Sequence, residues 1–91
     1  MKRYLGLAIR AGEIIFGLDN IIGSKKRPYA IVIDESLHES SMQKIRNYCA
    51  KHNVPFVQVL NLEDMVSKIG VKIIGVTNKN LAEQIVNRKE K

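Results

Sequence analysis

Apolar positions along this chain alternate between helical spacing and short continuous runs, and the switches between the two periods mark out the elements. Leu5, Ala8 and Ile9 share one face of a helix predicted over residues 2–11, and Gly12 suits the left-handed position that ends it. Residues 13–16 form a short β-type run. Gly17 then opens a second helix with Leu18, Ile21 and Ile22 inward, and Pro28 blocks its continuation into an apolar strand over residues 29–33. Ser40, followed three residues later by Gln43, predicts a capping box for a third helix, which buries Met42, Ile45 and Cys49 and stops at Asn53. A strand over residues 54–60 follows. Asn61 caps a helix that turns Leu62, Met65, Val66 and Ile69 inward and closes at Gly70. Residues 72–77 form the last strand, and Asn78 caps a closing helix with Leu81, Ala82, Ile85 and Val86 inward and a fraying tail of Arg88, Lys89, Glu90 and Lys91. Apolar strands separated by helices predict an α/β fold: a three-layer α/β/α sandwich around a four-stranded, mixed and largely parallel sheet.

Composition narrows what such a sandwich does. With 91 residues, 45% of them hydrophobic, the chain makes a single domain, 1–91, with one core. Its longest apolar runs are only a few residues, and Lys2, Arg3 and Arg10 interrupt the start, so neither export nor membrane insertion is expected and the chain reads as cytoplasmic. Cys49 is the single cysteine, which rules out an intramolecular disulfide and a cysteine-built zinc site. The formal charge of +6, with a pI near 9.7, favours a polyanionic partner. The excess is uneven: residues 1–33 hold six basic residues against Glu13 and Asp19.

Catalytic chemistry finds little to stand on. No Gly-x-Gly-x-x-Gly and no Gly-x-x-x-x-Gly-Lys-Ser/Thr occurs, so no nucleotide cofactor is expected. His38 falls in a polar loop and His52 at a helix end, neither with a neighbouring carboxylate pair that would build a metal or nucleophile site. Asp34 and Glu35 sit where a strand leaves the sheet and read as loop and capping residues, while Glu63 and Asp64 fit the first turn of a helix, where carboxylates oppose the macrodipole. No enzyme activity, cofactor or metal is expected.

Two segments fit RNA instead. In Gly17-Leu18-Asp19-Asn20 a glycine-opened helix start offers free backbone N–H groups, Asn20 suits a purine edge and Asp19 an amino group, while Lys25, Lys26 and Arg27 suit phosphates. In Val71-Lys72-Ile73, part of an apolar bend that begins at Ile69-Gly70, two aliphatic side chains flank one cation and offer unstacked bases a surface. Taken singly, each segment also fits ordinary helix and strand ends.

The runs Leu5-Gly6-Leu7-Ala8-Ile9-Arg10-Ala11-Gly12, Ile31-Val32-Ile33-Asp34-Glu35, Asn53-Val54-Pro55-Phe56-Val57 and Ile69-Gly70, with Gly17 at a helix start, resemble the kink-turn RNA-binding ribosomal protein family of the L-seven-Ae and L-thirty-e type, and most of all its small bacterial YlxQ-like branch. The resemblance implies a non-enzymatic, monomeric protein that recognises a sharp bend in structured RNA, a kink-turn or ribosomal RNA, with a possible place on the ribosome and no DNA specificity. It carries the family's Gly-x-Asn-Glu recognition segment onto Gly17, Leu18, Asp19 and Asn20, and its loop over a flipped base onto Val71, Lys72 and Ile73. Where the family commonly has Asn-Glu followed three residues later by Lys, this chain has Asp19-Asn20 and then Gly23. That departure leaves room for a ribosome-associated or assembly module that kept the fold with a degraded RNA site. A detached substrate-binding domain of an RNA-modifying enzyme is the remaining alternative.

Overall fold

In the computed structural model, which describes residues 2–87, the elements run α1 (Lys2–Arg10), β1 (Ile14–Phe16), α2 (Leu18–Gly23), β2 (Ala30–Asp34), α3 (Glu39–His52), β3 (Phe56–Val59), α4 (Leu62–Val66), β4 (Ile73–Val76) and α5 (Lys79–Asn87). The tail from Arg88 onward lies outside the described residues. One four-stranded sheet, in the order β1-β4-β2-β3, is covered on both faces. Ala30, Val32, Ile74 and Val76 point into a core shared with Leu5, Ala8, Leu62, Ala82 and Ile85 of α1, α4 and α5. The alternate residues Ile31, Ile33 and Ile73 point the other way, against Ile21 of α2 and Ile45 and Cys49 of α3. Every residue of β2 is therefore buried, as a strand without a solvent face must be. Each fully buried Ile or Val contributes about 1.5–3 kcal/mol of hydrophobic stabilisation.

The sheet is mixed, but its parallel share is smaller than the sequence suggests. Only β2 and β3 pair in parallel; β4 runs antiparallel to both β1 and β2. Continuous apolarity marks burial on both faces and says nothing about direction. Direction shows in the connection instead: β4 enters at the end of the sheet where β3 leaves it, with only the five-residue α4 and the bend after it between them. Between β1 and β2, β4 passes close beneath the start of the latter, and a Cβ at Gly75 would meet Pro28 Cβ at 3.0 Å and Ile21 Cγ1 at 3.4 Å. A side chain there would have to push Pro28 aside by a few tenths of an ångström.

Several local expectations change for physical reasons. Ser40 is not a cap: His38 stands at the N-cap of α3 and its Nδ1 accepts from the Ser40 amide at 3.3 Å, while Gln43 donates to Asn47 instead of closing a box. Asn61 takes a left-handed backbone without a side-chain cap, and Asp34 Oδ1 accepts from the Leu62 amide at 2.7 Å across 28 residues of sequence. Left-handed Ser67 ends α4 before Gly70 is reached, so Ile69 falls out of helical register and is 94% exposed. Ile22 also faces solvent. Asn78 caps as predicted, accepting from the Leu81 amide at 2.9 Å and donating to Glu13 at 2.9 Å. Among the described residues no helix is long and apolar enough to cross a membrane.

Candidate nucleic-acid interface

Pairing of β1 with β4 brings together two segments that lie more than fifty residues apart in the chain. Phe16 pairs with Ile74, and the Gly17 amide donates to the Ile73 carbonyl at 3.0 Å, so the tip of α2 and the bend before β4 sit side by side on one edge of the sandwich. Gly17 holds this corner at φ 92°, a conformation that L side chains rarely adopt. Ile21 returns its amide to the Gly17 carbonyl at 3.1 Å, which leaves the amides of Leu18, Asp19 and Asn20 without intrahelical acceptors. With six residues α2 carries little macrodipole, so these donors matter as hydrogen-bonding groups more than as a field.

Side chains at the tip divide into engaged and free. Asp19 and Asn20 are exposed, but Asn20 Nδ2 already donates to the Phe16 carbonyl at 2.8 Å; it braces the corner, and Oδ1 is the atom it has left for a ligand. Lys68 Nζ lies 4.5 Å from the Phe16 ring centroid, a cation–π contact that parks a positive charge beside the tip. On the bend, Glu63 accepts from the Gly70 amide at 3.0 Å and pairs with Lys72 at 3.4 Å. The loop is thereby braced, and the charge of Lys72 is partly offset.

The aliphatic surface assigned to Val71 and Ile73 is not there. Val71 belongs to the core under α1, α4 and α5, and Ile73 to the core under α2 and α3, at 8% and 3% exposure, so neither can receive a base. The apolar side chain that does project at this bend is Ile69. Sequence reasoning turned it inward because spacing from Leu62, Met65 and Val66 fits a helix that in fact ends at Val66. Phe16 and Lys68 were missed as well, and Lys68 carries no signal in the sequence beyond standing next to the bend.

Lys25, Lys26 and Arg27 are exposed, but at the opposite end of α2 from Gly17, about 9 Å of helix away. Ser24 turns the chain there, its hydroxyl donating to the Lys26 carbonyl at 2.9 Å. Arg27 lines an open cavity of about 300 Å³ with Tyr29, His52 and Asn53. Desolvation, followed by the charges of Arg27 and Lys51, holds the His52 imidazole below its ordinary pKa. Beside the bend lies an open cleft of about 610 Å³ whose walls combine Asp34, Glu35, Glu63 and Asp64 with Lys68, Ile69 and Lys72 of the bend itself. Asp34 is structural: its Oδ2 accepts from the Ser36 amide at 2.9 Å and from the Ser36 hydroxyl, and its Oδ1 holds α4.

No family model matches this chain, and no curated protein matches it in sequence. Among solved structures, a protein of unknown function from Bacillus halodurans shares the fold at a TM-score of 0.86 and 19% identity, over 92% of this chain and 90% of that one. A likeness at that identity establishes the architecture and nothing about ligands.

Proposed function

We propose that the protein is a non-catalytic RNA-binding module of the kink-turn type, related to the ribosomal protein family its sequence resembles, and that it binds structured RNA with the tip of α2 and the bend before β4. The observation that carries this reading is the 3.0 Å hydrogen bond from Gly17 to Ile73, which makes one surface of two segments distant in sequence. Free amides at Leu18 to Asn20 and Asn20 Oδ1 suit base edges, Lys68 and Lys72 suit phosphates, and Ile69 supplies the apolar contact for an unstacked base. Lys25, Lys26 and Arg27 extend the path along α2 and add affinity without sequence preference.

Three observations favour an assembly module with a weakened RNA site. Asn20 spends its amide on Phe16, Glu63 offsets Lys72, and Asp19 adds a negative charge to the tip. Titration of a fluorescently labelled kink-turn RNA against a straight duplex of equal length separates the two. The RNA-binding reading predicts that the bent RNA binds at least about tenfold more tightly. Equal and steeply salt-dependent binding to both would leave only charge attraction and support the assembly module.

A further inference from the structure

The opposite end of the sheet carries an aromatic side chain that the Gly17 corner does not use. Tyr29 is 49% exposed, the most open aromatic residue among those described, although it directly precedes the fully buried strand β2. Pro28 restricts the chain before it, and its own amide donates to the Val76 carbonyl at 2.8 Å, so the ring projects from a fixed backbone. Tyr29 lines two open depressions, one of about 300 Å³ with Arg27, Pro28, His52 and Asn53, and one of about 170 Å³ with Pro55, Lys79, Ala82 and Glu83. Ile73, which accepts from the Gly17 amide, pairs with Ile33, and Tyr29 stands four residues back along β2, about 13 Å away.

Charge in the larger depression has one sign. No carboxylate lines it, and the charges of Arg27 and Lys51 both reach His52. The smaller depression holds one cation and one carboxylate, Lys79 and Glu83, so an anion belongs on the Arg27 side of Tyr29. A half-open aromatic ring beside a guanidinium suits a ligand that carries a flat ring and an anion together, which is the chemistry of an unstacked nucleotide. An inorganic anion has no use for the ring, and an acidic peptide pairs with the cations but leaves the ring open. We propose that this end of the sheet is a second RNA contact, which takes an unpaired nucleotide of a strand, its base on Tyr29 and its phosphate on Arg27. Lys25 and Lys26 lie between the Gly17 corner and Arg27 in the chain, so a strand that leaves the first contact reaches the second along exposed cations. The second contact does not rest on the kink-turn reading, because it needs only a free base next to a phosphate.

Fluorescence anisotropy of a labelled, unstructured oligoadenylate strand titrated with the full chain tests this. Tyr29→Leu should weaken binding at least about fivefold, while Tyr29→Phe, which keeps the ring, should stay within about twofold of the wild type. Arg27→Gln should lower affinity and flatten the log–log salt slope by about 0.7, the value for one single-strand phosphate. In amide chemical-shift mapping of the wild type, Tyr29, His52 and Asn53 should move with the strand, and adenosine monophosphate should move the same amides at much higher concentration. A folded Tyr29→Leu that binds the strand as the wild type does would overturn the proposal, as would amides of Tyr29, His52 and Asn53 that stay still; the second outcome decides the matter even if the variant fails to fold. Displacement of the strand by inorganic phosphate as readily as by adenosine monophosphate would reduce the site to a bare anion contact, and adenosine monophosphate binding as tightly as the strand would make it a free-nucleotide pocket; either overturns the proposal. Preference of Tyr29→Leu for a kink-turn RNA over a straight duplex should equal that of the wild type, so the two contacts succeed or fail separately.

Discussion

Asp34 is a buried carboxylate that ties β2 to the start of α4. Burial pushes its carboxyl up, but the Ser36 hydroxyl, the Leu62 and Ser36 amides and the charge of Lys72 together outweigh that and hold it below its ordinary value. A carboxyl that ionises more readily folded than unfolded contributes stability that is complete above the unfolded pKa of about 4 and is lost as the pH falls through the lower folded value. Asp34→Ala is therefore expected to lose about 2–3 kcal/mol at neutral pH, with the gap to the wild type narrowing in acid; urea denaturation at stepped pH measures both. Cys49 is the opposite case, its thiol pushed up to about 11 by burial alone. It should react with a thiol reagent at neutral pH only as fast as the protein opens, and fast labelling of the native state would contradict its core position. Gly17→Ala meets no atom closer than Asn20 Nδ2 at 3.8 Å, so its cost comes from the positive φ, about 1 kcal/mol or somewhat more in chemical denaturation.

At the scale of elements, the bend between α4 and β4 decides both topology and site. Its two aliphatic residues make opposite predictions: Val71→Ala should cost about 2 kcal/mol of stability, while Ile69→Ala should stay within about 0.5 kcal/mol of the wild type and weaken bent-RNA binding about fivefold to tenfold. Thermal melts and RNA titration of both variants check the pair. This bend is also where the sequence was least legible. Elements that bury a periodic face, α1, α3 and α5, could be read from spacing, and so could the caps that depend on near neighbours, as at Asn78. The left-handed stop at Ser67 and the cap that Asp34 supplies from 28 residues away depend on contacts the sequence does not order, so the end of α4, the direction of β4 and the outward turn of Ile69 stayed hidden. Gly17 was legible as a corner because only glycine tolerates its backbone, but its partner Ile73 was read as surface where it is core.

At the scale of the molecule, basic side chains stand both at the bend and at the far end of α2. The Gly17 corner and the basic end of α2 are separated by the length of that helix, and the two halves of the proposed site play different parts. Replacing Lys25, Lys26 and Arg27 by Gln should weaken binding to every RNA and flatten the log–log salt slope by about 0.7–0.9 for each phosphate no longer neutralised, with the preference for bent RNA retained. Asn20→Ala should do the reverse, reducing that preference with little change in slope. The most direct measurement is amide chemical-shift mapping of the labelled protein during titration with a kink-turn RNA. The account predicts that Gly17 to Asn20 and Lys68 to Lys72 move together, along one binding curve. Perturbation confined to Lys25, Lys26 and Arg27, or spread evenly over the basic surface while the Gly17 corner stays still, would contradict it.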